Sequence, residues 1–142
     1  MVRLLKSTTL LLLGILAVLP EVACTSGSSP TKEALEARLK SYWELRQKGD
    51  WGAIYEYLTP EERKFVKRND FVNDRSKQLS FLSFQIESVE VRDKEGITNT
   101  KCKWRITLPG DQIPHRDGDV NLTEYWLYAG DNWYLKMFNP NK

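Results

Sequence analysis

Hydrophobic positions along this chain change their spacing twice, which divides it into three stretches. The first is an apolar run, Leu10–Leu19, with Arg3 and Lys6 before it and Pro20-Glu21-Val22-Ala23-Cys24 after it. In the second stretch, Leu35, Leu39, Tyr42, Trp43 and Arg46 recur at the spacing of one helical face. A helix is predicted to begin near Ser29-Pro30 or Thr31 and to end at Gly49-Asp50. A short second helix then holds Trp51, Ile54, Tyr55 and Leu58. Thr59-Pro60-Glu61-Glu62 has the form of a helix start: Thr59 caps, Pro60 takes the first helical position, and Glu62 reaches back to close a capping box. Phe65 and Val66 are expected to form the apolar side of that third helix. Phe71 and Val72 are expected to anchor a further helical turn or two over residues 70–78.

From Leu79 onward the period becomes two, the spacing of strands. Leu82, Phe84 and Ile86 share one parity, and Val89 and Val91 have the other. A bulge near Glu87-Ser88 returns both sets to a single apolar face and bends the sheet. Asp93-Lys94-Glu95-Gly96 reads as a turn. The next strand sets Cys102, Trp104, Ile106 and Leu108 on one side, with Lys101, Lys103 and Arg105 on the other. Residues 109–119 read as a loop, 120–129 as a third strand, Gly130-Asp131-Asn132 as a tight hairpin turn, and 133–138 as the last strand. Helices followed by antiparallel strands predict an α+β fold, with N-terminal helices packed on one face of a strongly curved antiparallel sheet.

Charge sits at both edges of the apolar run, and small polar residues follow it. A basic start, a short apolar segment and small residues before a cut form a secretory signal pattern. The apolar run is shorter than the roughly 20 residues that span a bilayer, so an uncleaved anchor fits less well. With Cys24 at the junction, the segment resembles a bacterial lipoprotein signal, in which that Cys is acylated and becomes the new N-terminus. Val22 and Ala23 fit that pattern, whereas Glu21 stands where it takes an aliphatic residue. Cleavage by ordinary signal peptidase is the other route. The organisation is then a signal over 1–23, a lipidated Cys24 with a Ser- and Gly-rich tether over 24–31, and a domain over 32–142.

Removing residues 1–23 takes two of the 21 basic and one of the 19 acidic residues. What remains is 119 residues with a net charge of +1. That length makes one domain with a real core. The near-neutral balance gives no electrostatic case for a nucleic-acid partner. Cys24 and Cys102 are the only cysteines. With Cys24 lipidated, Cys102 has no partner within the chain, and its alternation with Trp104 and Ile106 marks it as a buried small apolar residue rather than a reactive thiol.

The stretch from Tyr42 to Arg63 resembles the opening of the NTF2-like superfamily: a long helix ending in Gly49-Asp50, a short helix, and the Thr59-Pro60-Glu61 turn. Residues 124–135, with an aromatic strand, the Gly130-Asp131 turn and Trp133, resemble its final hairpin. The resemblance implies a cone, a bent sheet wrapped around the long helix to enclose a cavity. It also implies dimers formed through the sheet. The matching motifs concern packing and turns, so they bear on fold and not on chemistry.

Some members of that superfamily are isomerases, dehydratases or hydrolases that use a carboxylate in the cone. Glu124 shares strand parity with Leu122, Trp126 and Tyr128. It either enters the cone or lies on the outer face, paired with Lys101, Lys103 or Arg105. The outer placement is the expected one, because unpaired buried carboxylates are rare. His115, the only histidine, falls in the predicted loop without the Cys/His neighbours of a metal site and reads as solvated. Trp104, Glu124, Trp126, Tyr128 and His115 are the candidate ligand or interface residues, and no cofactor or metal is expected. The functional expectation is a membrane-tethered, non-catalytic binding or protein-interaction domain of the bacterial cell envelope. It would take an apolar small ligand, an envelope protein or a second copy. The alternative is an NTF2-like cavity enzyme with Glu124, or an Asp of the 111–119 loop, as base.

Overall fold

The computed structural model describes residues 29–75, 79–107 and 115–137. The predicted signal, Cys24 and the first part of the tether lie outside the described residues. So do Gln78, Leu108, Asp111 and Phe138.

The long helix α1 spans Lys32–Lys48. Thr31 caps it by accepting the Ala34 N–H, and Gly49 ends it at φ 69°. The Gly49 and Asp50 N–H groups donate to the Arg46 and Leu45 carbonyls, a Schellman arrangement that needs the left-handed backbone glycine tolerates. The face predicted from spacing is the buried one: Leu35, Leu39, Tyr42 and Trp43 are all in the core. Asp50 caps α2 (Trp51–Ile54), which runs into a 3-10 turn over Tyr55–Tyr57. The capping box closes as predicted. Glu62 N–H donates to Thr59 Oγ1 at 3.1 Å, and Thr59 N–H donates to Glu62 Oε2 at 3.2 Å.

The helix that follows, α3 (Glu62–Phe65), departs from expectation: Phe65 is 86% exposed. Val66 turns the chain into extended backbone, and the Tyr55 hydroxyl donates to the Val66 carbonyl at 2.8 Å. Val66 alone therefore packs against the core, while Phe65 points away from it. Helix α4 spans Arg68–Arg75, with Phe71 buried against Trp51 and Tyr55.

Four antiparallel strands follow in the order β1-β2-β3-β4: Leu79–Arg92, Glu95–Thr107, His115–Ala129 and Asn132–Lys136. The β1–β2 register slips between Ile86 and Ser88, where a bulge is expected, and again between Phe81 and Ser83. The second bulge expels Leu82 from the apolar face and puts Phe81 there instead, opposite Trp104. Phe81, Phe84, Ile86, Val89 and Val91 then face Trp104, Cys102, Thr100, Thr98 and Gly96 in turn. β3 begins at His115 and pairs with β2 from Thr107 on, so residues 115–119 are strand rather than loop. Gly130 and Asp131, both at positive φ, make the two-residue turn into β4. The sheet's concave face closes on α1, and Trp43, Trp126 and Trp133 fill the space between them.

Candidate active site in the mouth of the cone

Arg46 stands on the buried face of α1, one turn after Tyr42 and Trp43. Its guanidinium lies 4.3 Å from the Trp43 ring centre and 4.2 Å from that of Phe81, so two aromatic faces hold the cation. From that position Nη1 donates to Glu124 Oε1 at 3.0 Å and to the Tyr42 hydroxyl at 3.2 Å. The two charged side chains are only 11% and 10% exposed. Glu124 thus enters the cone and pairs with Arg46, against the expectation of an outer-face partner. The cross-strand cation on the outer face takes a different acid: Arg105 Nε and Nη2 donate to the two oxygens of Asp117. That pair holds the exposed Asp117 carboxyl below the usual range.

Burial pushes the Glu124 carboxyl above the ordinary glutamate value. Arg46, Tyr42 and Trp43 act the other way and do not fully cancel it. The second carboxylate oxygen, Oε2, is buried without a hydrogen-bond partner, as are Arg46 Nε and Thr100 Oγ1. Trp43 Nε1 favours the charged carboxylate without reaching it in hydrogen-bond geometry. Cys102, on the strand beside this pair, is buried, and its thiol is pushed up to about 12. It is a packing residue, not a nucleophile.

A cleft of about 380 Å³ opens over the pair. β4 stops pairing at Lys136, opposite Tyr125, so β3 from Leu122 to Glu124 has no strand on that side among the described residues. Tyr42, Arg46, Thr123, Glu124, Tyr125 and Lys136 are the polar part of the lining, and Leu122, Leu135 and Met137 are its apolar part. Of the residues singled out from sequence, only Glu124 lines this cleft. Trp126 is buried beneath it, edge-on to Tyr42, with Nε1 donating to Thr98 Oγ1 at 3.2 Å. Tyr128 is buried against Trp133. Trp104 covers Gly118, where an added Cβ would lie 2.4 Å from its ring. His115 is exposed at the far end of β3, opposite Thr107. Arg46 was the residue to notice: a cation within an apolar helical stripe requires a buried acidic partner.

Among the described residues, no group of three or more His, Cys, Asp or Glu is placed to hold a metal ion. The arrangement offers one buried carboxylate, already paired, beside a tyrosine hydroxyl and an apolar wall.

Neither a protein-family model nor a curated protein matches the sequence. Solved structures do match its fold. A SEC-C motif containing protein from Rhodopseudomonas palustris is 16% identical, with a TM-score of 0.58 over 75% of this chain and 77% of that one. A candidate dehydratase from the NTF2-like family of Streptomyces avermitilis is 13% identical, with a TM-score of 0.53 over 72% of this chain and 90% of that one. A candidate Ca/calmodulin-dependent kinase II association domain from Exiguobacterium sibiricum is 12% identical, with a TM-score of 0.55 over 76% and 91%. At these identities the likeness is one of fold, an α+β cone of the NTF2-like kind.

Proposed function

We propose that this chain, which has the NTF2-like fold, is a non-catalytic binding domain held at a membrane of the bacterial cell envelope by a lipid on Cys24. The observation that carries the non-catalytic part is the Arg46–Glu124 pair. A carboxylate paired with a guanidinium is a weaker base than the same buried carboxylate left unpaired. Here the buried carboxylate gives one oxygen to a guanidinium that is itself clamped between Trp43 and Phe81. The cleft above it mixes apolar side chains with polar and charged ones, which suits a small ligand that has both an apolar body and polar groups. The membrane part is supported by the N-terminal pattern ending in Cys24. Mass spectrometry of the chain purified from a bacterial membrane tests it. The reading predicts a mature N-terminus at Cys24 carrying acyl chains, and an unmodified start at any other residue would contradict it.

One observation favours a second reading. Glu124 is desolvated, raised above its ordinary value and in contact with Tyr42, as the carboxylate of a cavity enzyme would be. On that reading Arg46 orients the base, and the chemistry is proton transfer on a small apolar substrate. Both readings have Glu124 ionised at neutral pH, and they differ in whether a small molecule held in the cleft loses a proton to it.

A further inference from the structure

Phe65 is the most exposed large apolar side chain among the described residues, and it does not belong to a loose loop. The capping box fixes the start of its turn, and Glu62 Oε1 also accepts the Met137 N–H at 2.6 Å. At the other end the Tyr55 hydroxyl donates to the Val66 and Arg63 carbonyls, at 2.8 and 3.3 Å. The turn is held so that the phenyl ring stands in solvent. Around the ring the sequence is Arg63-Lys64-Phe65-Val66-Lys67-Arg68, four cations in six residues. Arg63 is paired with Glu56, and Lys64 lies 4.0 Å from an equally exposed Glu61. Lys67 and Arg68 are exposed and have no ion-pair partner among the described residues.

We propose that this turn docks onto an anionic lipid surface, with Phe65 entering the headgroup boundary and Lys64, Lys67 and Arg68 meeting the phosphates. The inference rests on the membrane-tether reading only for what brings the domain to a bilayer. A protein partner would need a contiguous apolar core within roughly 800 Å² on this side. A single exposed aromatic ring flanked in sequence by cations is not that, but it matches a bilayer interface, where an apolar side chain sinks a few ångströms and cations remain among anionic headgroups. The tether permits the contact. Seven residues from Thr25 to Thr31 reach at most about 25 Å. A domain of this size has a radius of gyration near 13 Å, so its surface stays close to the membrane that holds Cys24.

The test uses the full chain processed in a bacterium, purified and reconstituted in vesicles, with Phe65→Cys labelled by an environment-sensitive fluorophore. Cys102 is buried, so it does not compete for the label in the folded chain. The same label at Asn121→Cys, exposed on β3, is the control. With vesicles of three parts phosphatidylcholine to one part phosphatidylglycerol, the label at 65 is expected to shift to the blue and to be quenched by lipids spin-labelled near the headgroup. The label at 121 should do neither. Lys67→Ala with Arg68→Ala should lower the docked-to-undocked ratio roughly thirtyfold. A label at 65 that keeps its aqueous emission as anionic vesicles are increased overturns the proposal, whether or not the chain carries lipid. A blue shift without quenching by lipid overturns it too, in favour of contact with protein. Failure of the tether reading is seen separately, as loss of the chain from phosphatidylcholine vesicles.

Discussion

Arg46 and Glu124 meet across 78 residues of sequence, and each leaves the other buried without its partner if it is removed. Breaking such a pair costs more than the pair contributes, because the surviving charge cannot return to water. Arg46→Met is expected to destabilise the domain by about 3 kcal/mol in urea unfolding at neutral pH. Glu124→Gln should cost less, since the amide oxygen can still accept from Nη1. The two variants also separate in pH dependence. The folded-state value of Glu124 lies above its unfolded one, so the folded state holds that proton more tightly. Its contribution is complete below the ordinary glutamate value and is lost as pH rises through the higher folded value. Glu124→Gln should remove that part of the acid-to-neutral slope. Cys102 follows the same sign at higher pH. Raised from 9.0 to about 12, it keeps its proton in the fold and loses stability between those values.

The elements show which signals act locally and which do not. The Thr59–Glu62 capping box, the Gly49-Asp50 helix end and the Gly130-Asp131 turn were legible because each cause lies within four or five residues of its effect. The Ile86/Ser88 bulge was legible from a change in parity. The Phe81/Ser83 bulge was not, because its cause is the register against β2, which brings Phe81 onto Trp104 and turns Leu82 out. Thr98 and Thr100 lie fully buried in the cone although their side chains are polar, and no spacing rule separates them from surface threonines. Phe65 read as core because an apolar residue in a helical stretch usually is. The Tyr55–Val66 hydrogen bond that turns it out belongs to tertiary structure. Gly96 lies on β2 directly against Leu35 of α1. A Cβ there would meet Leu35 Cδ2 at 2.4 Å and the Trp126 and Trp133 side chains at 3.3 Å. These neighbours are themselves buried and packed, so Gly96→Ala is expected to cost about 1–3 kcal/mol, read from the urea midpoint. Thr59→Ala, which opens the capping box, should cost about 1 kcal/mol by the same measurement.

At the scale of the whole molecule, α1 and the curved sheet form a cone whose depth is filled by aromatic side chains and whose mouth holds the Arg46–Glu124 pair. The α+β architecture was legible from the order of helices and strands. The site was only half legible. Glu124 was a candidate, but its partner Arg46 was not, and their meeting depends on the way the sheet curls over α1. No described helix is long and apolar enough to cross a membrane. The mouth of the cone depends on one carboxyl group staying paired with Arg46. The direct measurement is a carbon-detected NMR titration of the Glu124 side chain in the folded chain and in Arg46→Met. The account predicts that Glu124 titrates above the ordinary glutamate value yet is ionised at neutral pH, with its titration moving higher once Arg46 is gone. A Glu124 that still holds its proton at neutral pH, and whose titration Arg46→Met leaves unmoved, would contradict it.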